Sequence, residues 1–236
     1  MSDLELDVIA TAPHPDDLEI SCGGTIAKLV KLGYKVGMVH MTNGEPTPLS
    51  ASAEQREAEC AEAARILGAH LRVTLDLPNR ILMDGPEARY TLATVFRRHK
   101  PKLVIAMGGR TPMASPDHWQ GTLLAEGAVF YSRLTKWDER FAGTSPHTIR
   151  NIVYAPVFGE LHGEFPASLV VDIGDTIEQK IEAVLAYSSQ FGHRTQIADA
   201  IRATARRWGH RCGFAYGELL VSHRPLSVTD PMKVCL

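Results

Sequence analysis

No apolar run in this sequence approaches the roughly 20 residues that a bilayer-crossing helix needs, which argues against a spanning segment. Neither sign of charge dominates: 25 Lys and Arg stand against 27 Asp and Glu, a formal net charge of −2. No global basic field therefore exists to hold nucleic acid or an anionic membrane, and the partner expected is a small molecule. The four cysteines, Cys22, Cys60, Cys212 and Cys235, lie far apart without a C-x-x-C pair, and the opening MSDLELDVIA has no basic stretch leading into an apolar one. A reduced, cytoplasmic protein is the expectation. G-x-G-x-x-G and G-x-x-x-x-G-K-[ST] are both absent, which disfavours a nucleotide site and leaves Gly23-Gly24 as a point of tight packing where a helix starts. Repeats, low-complexity tracts and linkers are missing too. With 44% hydrophobic content for one substantial core, residues 1–236 read as a single domain.

What is present alternates. A short apolar run at 6–12 stops at the Pro-bearing stretch APHPDD, and helical spacing after Gly24 ends at Gly33 before a second strand at 35–42. A helix over 53–67 closed by Gly68, a strand at 71–75, a helix over 87–99 and a strand at 102–107 continue the pattern. Beyond GGRTPMASPDHW, helices are predicted over 117–134, 175–190 and 198–208, and strands at 151–156, 168–172 and 218–221. The fold class is α/β: a Rossmann-like, mostly parallel sheet flanked by helices, with the active site at the carboxyl ends of the strands.

Two loops that follow predicted strands are crowded with metal-competent side chains. His14 and Asp17 lie in the first and His118 in the loop beyond 108. Three protein ligands of this kind leave an open position, the mark of a catalytic site in which bound water is acidified to near neutrality. Zn2+ suits a His2Asp set, and other divalent metals remain open. Asp16, beside a ligand but facing the water, is placed to act as general base. Asp117 is either a carboxylate that orients a ligand imidazole or a helix N-cap.

The stretch APHPDDLEISCGGT resembles the A-x-H-P-D-D-x-E signature of the LmbE-like, or PIG-L-type, zinc N-deacetylases. MTNGE at 41–45, Gln55-Arg56-Glu57 with Ala58 through Gly68, SPDHW at 115–119 and YGEL at 216–219 resemble further family segments. AYSSQF at 186–191 resembles the bacillithiol-biosynthesis deacetylase branch, N-acetylglucosaminyl malate deacetylases. The resemblance implies zinc on His14, Asp17 and His118 with Asp16 as base. It further implies homo-oligomeric assembly and a small amino-sugar conjugate as substrate, deacetylated by metal-activated water. Glu45, Arg56 and Gln190 fall at matching positions that bear on the substrate or the polar lining. For Arg56 the alternative is a helix-surface ion pair with Glu59 or Glu62.

Ser115 stands where the family usually has a His that stabilises the tetrahedral oxyanion. Loss of one such donor costs about 100- to 1,000-fold in turnover. Arg110, His162, His193 and Arg194 are candidates to replace it. Ser115 also motivates an alternative, a metal- or sugar-binding homologue without turnover; another is amidase action on a different N-acyl or thiol conjugate. Arg202, Arg206, Arg207, His210 and Arg211 read as a solvated helix face, and Trp119, Phe130, Tyr131 and Trp137 as packing on the face of a helix and its exit.

Overall fold

The computed structural model describes residues 4–160, 167–228 and 230. Seven strands form one sheet: β1 (Val8–Ala12), β2 (Val36–His40), β3 (Leu71–Thr74), β4 (Leu103–Gly108), β5 (Asn151–Pro156), β6 (Ala167–Asp172) and β7 (Gly217–Ser222), in the spatial order β3-β2-β1-β4-β5-β7-β6. The first five pair in parallel, and β7 runs against both of its neighbours. All five residues of β1 are buried, as an apolar strand at the centre of a helix-covered parallel sheet must be.

Because successive side chains point to opposite faces, β1 feeds two cores. Val8, Ala10 and Ala12 face a cluster built with α1 (Asp17–Lys31), α2 (Ala53–Leu67), α5 (Ile177–Leu185) and α7 (Ile197–Arg211). Ile9 faces the other, built with α3 (Pro86–His99) and α4 (Asp117–Tyr131). The chain moves outward from β1 to β3, then returns to lay β4 on the opposite side of β1. The loops after β1 and β4 consequently diverge and open a crevice between them, the topological switch point at which α/β sheets bind ligands.

Three local expectations are corrected. The first helix begins at Asp17, not after Gly24, so the Pro-Asp-Asp stretch leads directly into its opening turn. The helix expected over 175–190 is two pieces, α5 and α6 (Ser188–Phe191), parted at Tyr187 (φ −82°, ψ 67°). Both Ser188 and Ser189 donate their hydroxyls to Glu59 of α2, at 2.9 and 2.5 Å, which holds the second piece off the axis of the first. Phe130 and Trp137 are about half exposed (49% and 50%) rather than packed, Phe130 stacking under Arg133 instead. The basic face of α7 is solvated as expected, with Arg202 bound to Glu178 and Asp199.

No described helix is long and apolar enough to cross a membrane.

Candidate metal centre

β1 ends at Ala12, and the chain turns through Pro13, His14 and Pro15 into α1. The turn closes on itself: the His14 N–H donates to Asp17 Oδ2 at 2.9 Å. Asp16 sits at the helix start with φ +99°, a left-handed conformation that costs an L-residue and clusters at functional sites. Gly121 lets α4 come this close, since a Cβ there would lie 2.5 Å from Pro13 Cγ. α4 delivers Asp117 and His118 on its first turn.

One ligand atom each from His14, Asp17 and His118 lie within 4.8 Å of one another, and among the described residues this is the single such group. His14 Nδ1 stands 3.2 Å from Asp17 Oδ2, and His118 Nε2 stands 3.5 Å from Asp17 Oδ1. The remaining nitrogen of each ring is occupied. His14 Nε2 donates to Asp117 Oδ2 at 3.1 Å, and His118 Nδ1 donates to the Thr111 hydroxyl at 2.6 Å. Each imidazole thus has one nitrogen fixed by a partner and the other turned to the same carboxylate, the arrangement by which ligand histidines are oriented around a metal. The donor set fits a tetrahedral cation with an open position, zinc above all.

The electrostatics agree with a site built for positive charge. Burial alone would depress His14, but the Asp17 charge and the bonds to Asp117 and Asp17 outweigh it and push its pKa up to about 10. A ligating imidazole is neutral, so that proton leaves when a cation arrives. Burial would raise Asp17, but the His14 charge and bond hold it below the ordinary carboxylate range. Its neighbour moves the other way: burial pushes Asp16 up to about 6, against the pull of Arg56.

Arg56 is 2% exposed, which rules out the surface ion pair with Glu59 or Glu62. Its Nη2 donates to the Pro15 carbonyl at 2.5 Å and to Asp16 Oδ2 at 2.9 Å, and its guanidinium lies 5.3 Å from the Tyr187 ring centroid. On the surface of the helix, Glu62 pairs with Arg65. Gly44, at φ +75°, passes against this group, since a Cβ there would lie 3.0 Å from Pro15 Cδ and 3.3 Å from Arg56 Nε. Asp117 is not an N-cap, a position taken by Pro116; its carboxylate accepts the Arg80 N–H at 2.6 Å and the Leu82 N–H at 3.2 Å besides His14.

These groups form the floor of a cleft of about 470 Å³, the size of a small-ligand site. Gln190 lines it and donates to Thr47 at 3.2 Å; Ser115 lines it and accepts the Asp117 N–H at 3.3 Å. Glu45 does not line it, because its carboxylate folds back onto the backbone and hydroxyl of Thr47. Of the cations considered for the missing donor, Arg194 lines the cleft. Arg110 instead stacks on Trp119, His193 is exposed outside the cleft, and His162 falls outside the described residues. Sequence reasoning missed Asn79, Arg80, Val157 and Phe158, all in the lining, and Thr111 behind His118. Their signal was positional: they follow β3, β4 and β5, at the same carboxyl edge as the two loops that were read.

Residues 9–129 match the family model for PIG-L, GlcNAc-PI de-N-acetylase. The diacetylchitobiose deacetylase of Thermococcus kodakarensis is 30% identical over 223 residues, covering 89% of this chain and 80% of that one. Among solved structures, a conserved protein of Thermus thermophilus superposes with a TM-score of 0.84 at 36% identity, covering 95% of this chain and 97% of that one. The N,N'-diacetylchitobiose deacetylase of Pyrococcus horikoshii, complexed with an inhibitor, gives 0.78 at 30% identity, covering 90% and 82%. This chain, with its mostly parallel sheet and its His-Asp-His cluster at the switch point, belongs to the PIG-L family of de-N-acetylases, hydrolases that act on N-acetyl amides.

Proposed function

We propose that this protein removes the acetyl group from the amine of an N-acetylglucosaminyl conjugate, with Asp16 as general base and a divalent cation, zinc by preference, held by His14, Asp17 and His118. The observation that carries this reading is the pairing of a three-donor cluster with a separate, strained and half-buried carboxylate at the floor of one cleft. The family and the substrates named for its relatives support the amino sugar.

A cation bound there supplies Lewis acidity, polarising an amide carbonyl and acidifying water. The chain's own groups do the rest. Asp16, made more basic by burial against the pull of Arg56, is placed to take a proton from the attacking water. Arg56 fixes the carboxylate at one oxygen and leaves the other for that proton. As the C–N bond breaks, Asp16 returns the proton to the departing nitrogen, and the products are acetic acid and the amine, which settle in water as acetate and the protonated amine. Asp117 keeps the His14 ring in one orientation throughout. Negative charge developing on the carbonyl oxygen needs a donor where Ser115 replaces the family His, and Arg80 and Arg194, the latter against the Phe191 ring, are lining cations able to give it, whereas Arg56 turns its bonded Nη2 to Asp16 and the Pro15 carbonyl.

Amine release is measured from a panel of N-acetylglucosamine conjugates alongside other N-acyl amides and thiol conjugates, using zinc-loaded wild type, Asp16→Ala and zinc-stripped protein. Turnover on the sugars that vanishes in both controls is the expected result. Turnover confined to other amides would move the substrate class, and turnover that survives Asp16→Ala would remove the assigned base. Arg194→Ala is expected to lower kcat about 100-fold, the cost of losing one oxyanion donor.

A further inference from the structure

α1 is not continuous. At Cys22 the backbone leaves the helical region (φ −144°, ψ 21°), so the turn that carries Asp17 is severed from the helix that follows. A break strips partners from backbone groups on both sides. Asp17 through Ala27 are all buried, so water does not replace them. Two side chains from distant elements do. Glu218 of β7 accepts the Gly24 N–H at 3.0 Å and the Thr25 N–H at 2.6 Å, capping the second piece. Lys180 of α5 donates to the Ile20 carbonyl at 2.7 Å, closing the first. The two caps are also ion-paired to each other, with side chains 6% and 5% exposed. The paired glycines admit them: a Cβ on Gly24 would lie 3.1 Å from Glu218 Oε1, and one on Gly23 would lie 3.3 Å from Lys180 Cγ.

Buried ion pairs add little net stability, because desolvation offsets their attraction. What this pair supplies is position. The Ile20 N–H donates to the Asp16 carbonyl at 3.1 Å and the Ser21 hydroxyl donates to the Asp17 carbonyl at 2.6 Å, so the turn is a rigid unit whose far end is anchored at Ile20 by Lys180. We propose that Lys180 and Glu218 are positioning residues that hold the Asp16–Ser21 turn, and with it the adjacent carboxylates, at the spacing the metal centre requires. The inference rests on the metal reading above.

The test compares Lys180→Met, Glu218→Gln and the conservative Lys180→Arg in the full chain. It measures zinc affinity by chelator competition, thermal unfolding of the metal-free protein, and kcat and KM for deacetylation. Zinc affinity is expected to fall about 10- to 100-fold in Lys180→Met, as it does when partners of metal ligands are removed. KM stays near the wild-type value while kcat drops, and Lys180→Arg recovers most of both. A lowered metal-free melting temperature with unchanged zinc affinity and kcat would overturn the proposal, leaving the pair a structural feature only. Should the single variants not fold, Lys180→Met with Glu218→Leu removes both charges together. Weak zinc binding by the folded double variant supports the proposal, and wild-type affinity overturns it. His14→Ala in the same assay keeps the two readings apart: if it binds zinc as wild type does, the metal centre itself is misassigned.

Discussion

Two adjacent aspartates with the same intrinsic chemistry are driven in opposite directions by their surroundings. Asp17 faces two imidazoles and is held low; Asp16 is desolvated, balanced by one guanidinium, and rises to about 6. That separation suits the division of labour proposed for them. Asp16→Asn is expected to cost about 100- to 10,000-fold in kcat, the usual contribution of a general base, with zinc retained, whereas Asp17→Asn loses the metal. Metal analysis beside steady-state kinetics checks both, and an Asp16→Asn enzyme within tenfold of wild type would contradict the role. Thr111 acts one shell further out. Its hydroxyl oxygen accepts the His118 Nδ1 proton, so Thr111→Val, which keeps the shape, should weaken zinc binding about 10- to 100-fold without moving the metal-free melting temperature.

At the scale of elements, the site is framed by helix starts whose supports come from elsewhere in the chain. α1 is joined to the segment before α5 through Asp175, which accepts from Lys28 at 2.8 Å and Lys31 at 2.6 Å. Those bonds lower its pKa from 3.8 to about 2. A depressed carboxylate stabilises the fold above its unfolded pKa, and that contribution is lost as the pH falls through the folded value. Asp175→Asn should therefore be slightly less stable than wild type at neutral pH, with the gap closing between about pH 4 and pH 2. Because the pair is solvent-exposed, added salt should shrink the gap. Denaturant unfolding across that range is the measurement, and a gap independent of both pH and salt would show that the lysine bonds contribute nothing. The break between α5 and α6 belongs to the same scale. It lets Tyr187 place its ring beside Arg56 and its hydroxyl on Glu19 at 2.9 Å, while the next turn presents Gln190 to the cleft.

For the molecule as a whole, a cation held by this cluster, as proposed, would tie the loop after β1 to the start of α4. A ligand that binds only the folded state stabilises it, by about 2.7 kcal/mol at a hundredfold excess over its dissociation constant. Stripping the metal with a chelator should lower the melting temperature, and restoring zinc should raise it in proportion to the logarithm of free zinc. His118→Ala should abolish that dependence. A wild-type melting temperature that ignores zinc would count against the cluster as a metal site.

The alternation of strands and helices was legible because burial imposes it locally: a strand covered on both faces must be mostly apolar, as VIATA is but for Thr11, and α2 carries its own stop signal in Gly68. The candidate ligands were legible for a related reason, since His, Asp and a turn-forming Pro within four positions identify donor chemistry before any partner is known. What no local pattern contains is which distant group each side chain meets. Arg56 turned inward to a carboxylate 40 residues away instead of outward to its own helix. Asp117 served His14 and two loop amides instead of capping its helix, and Glu45 folded back on Thr47. The broken start of α1 is completed by a glutamate 193 residues beyond Thr25. Periodicity and donor type are properties of a few neighbouring residues; the pairing of buried charges is decided only when the sheet brings both ends together, because each must find a partner there or remain unsolvated.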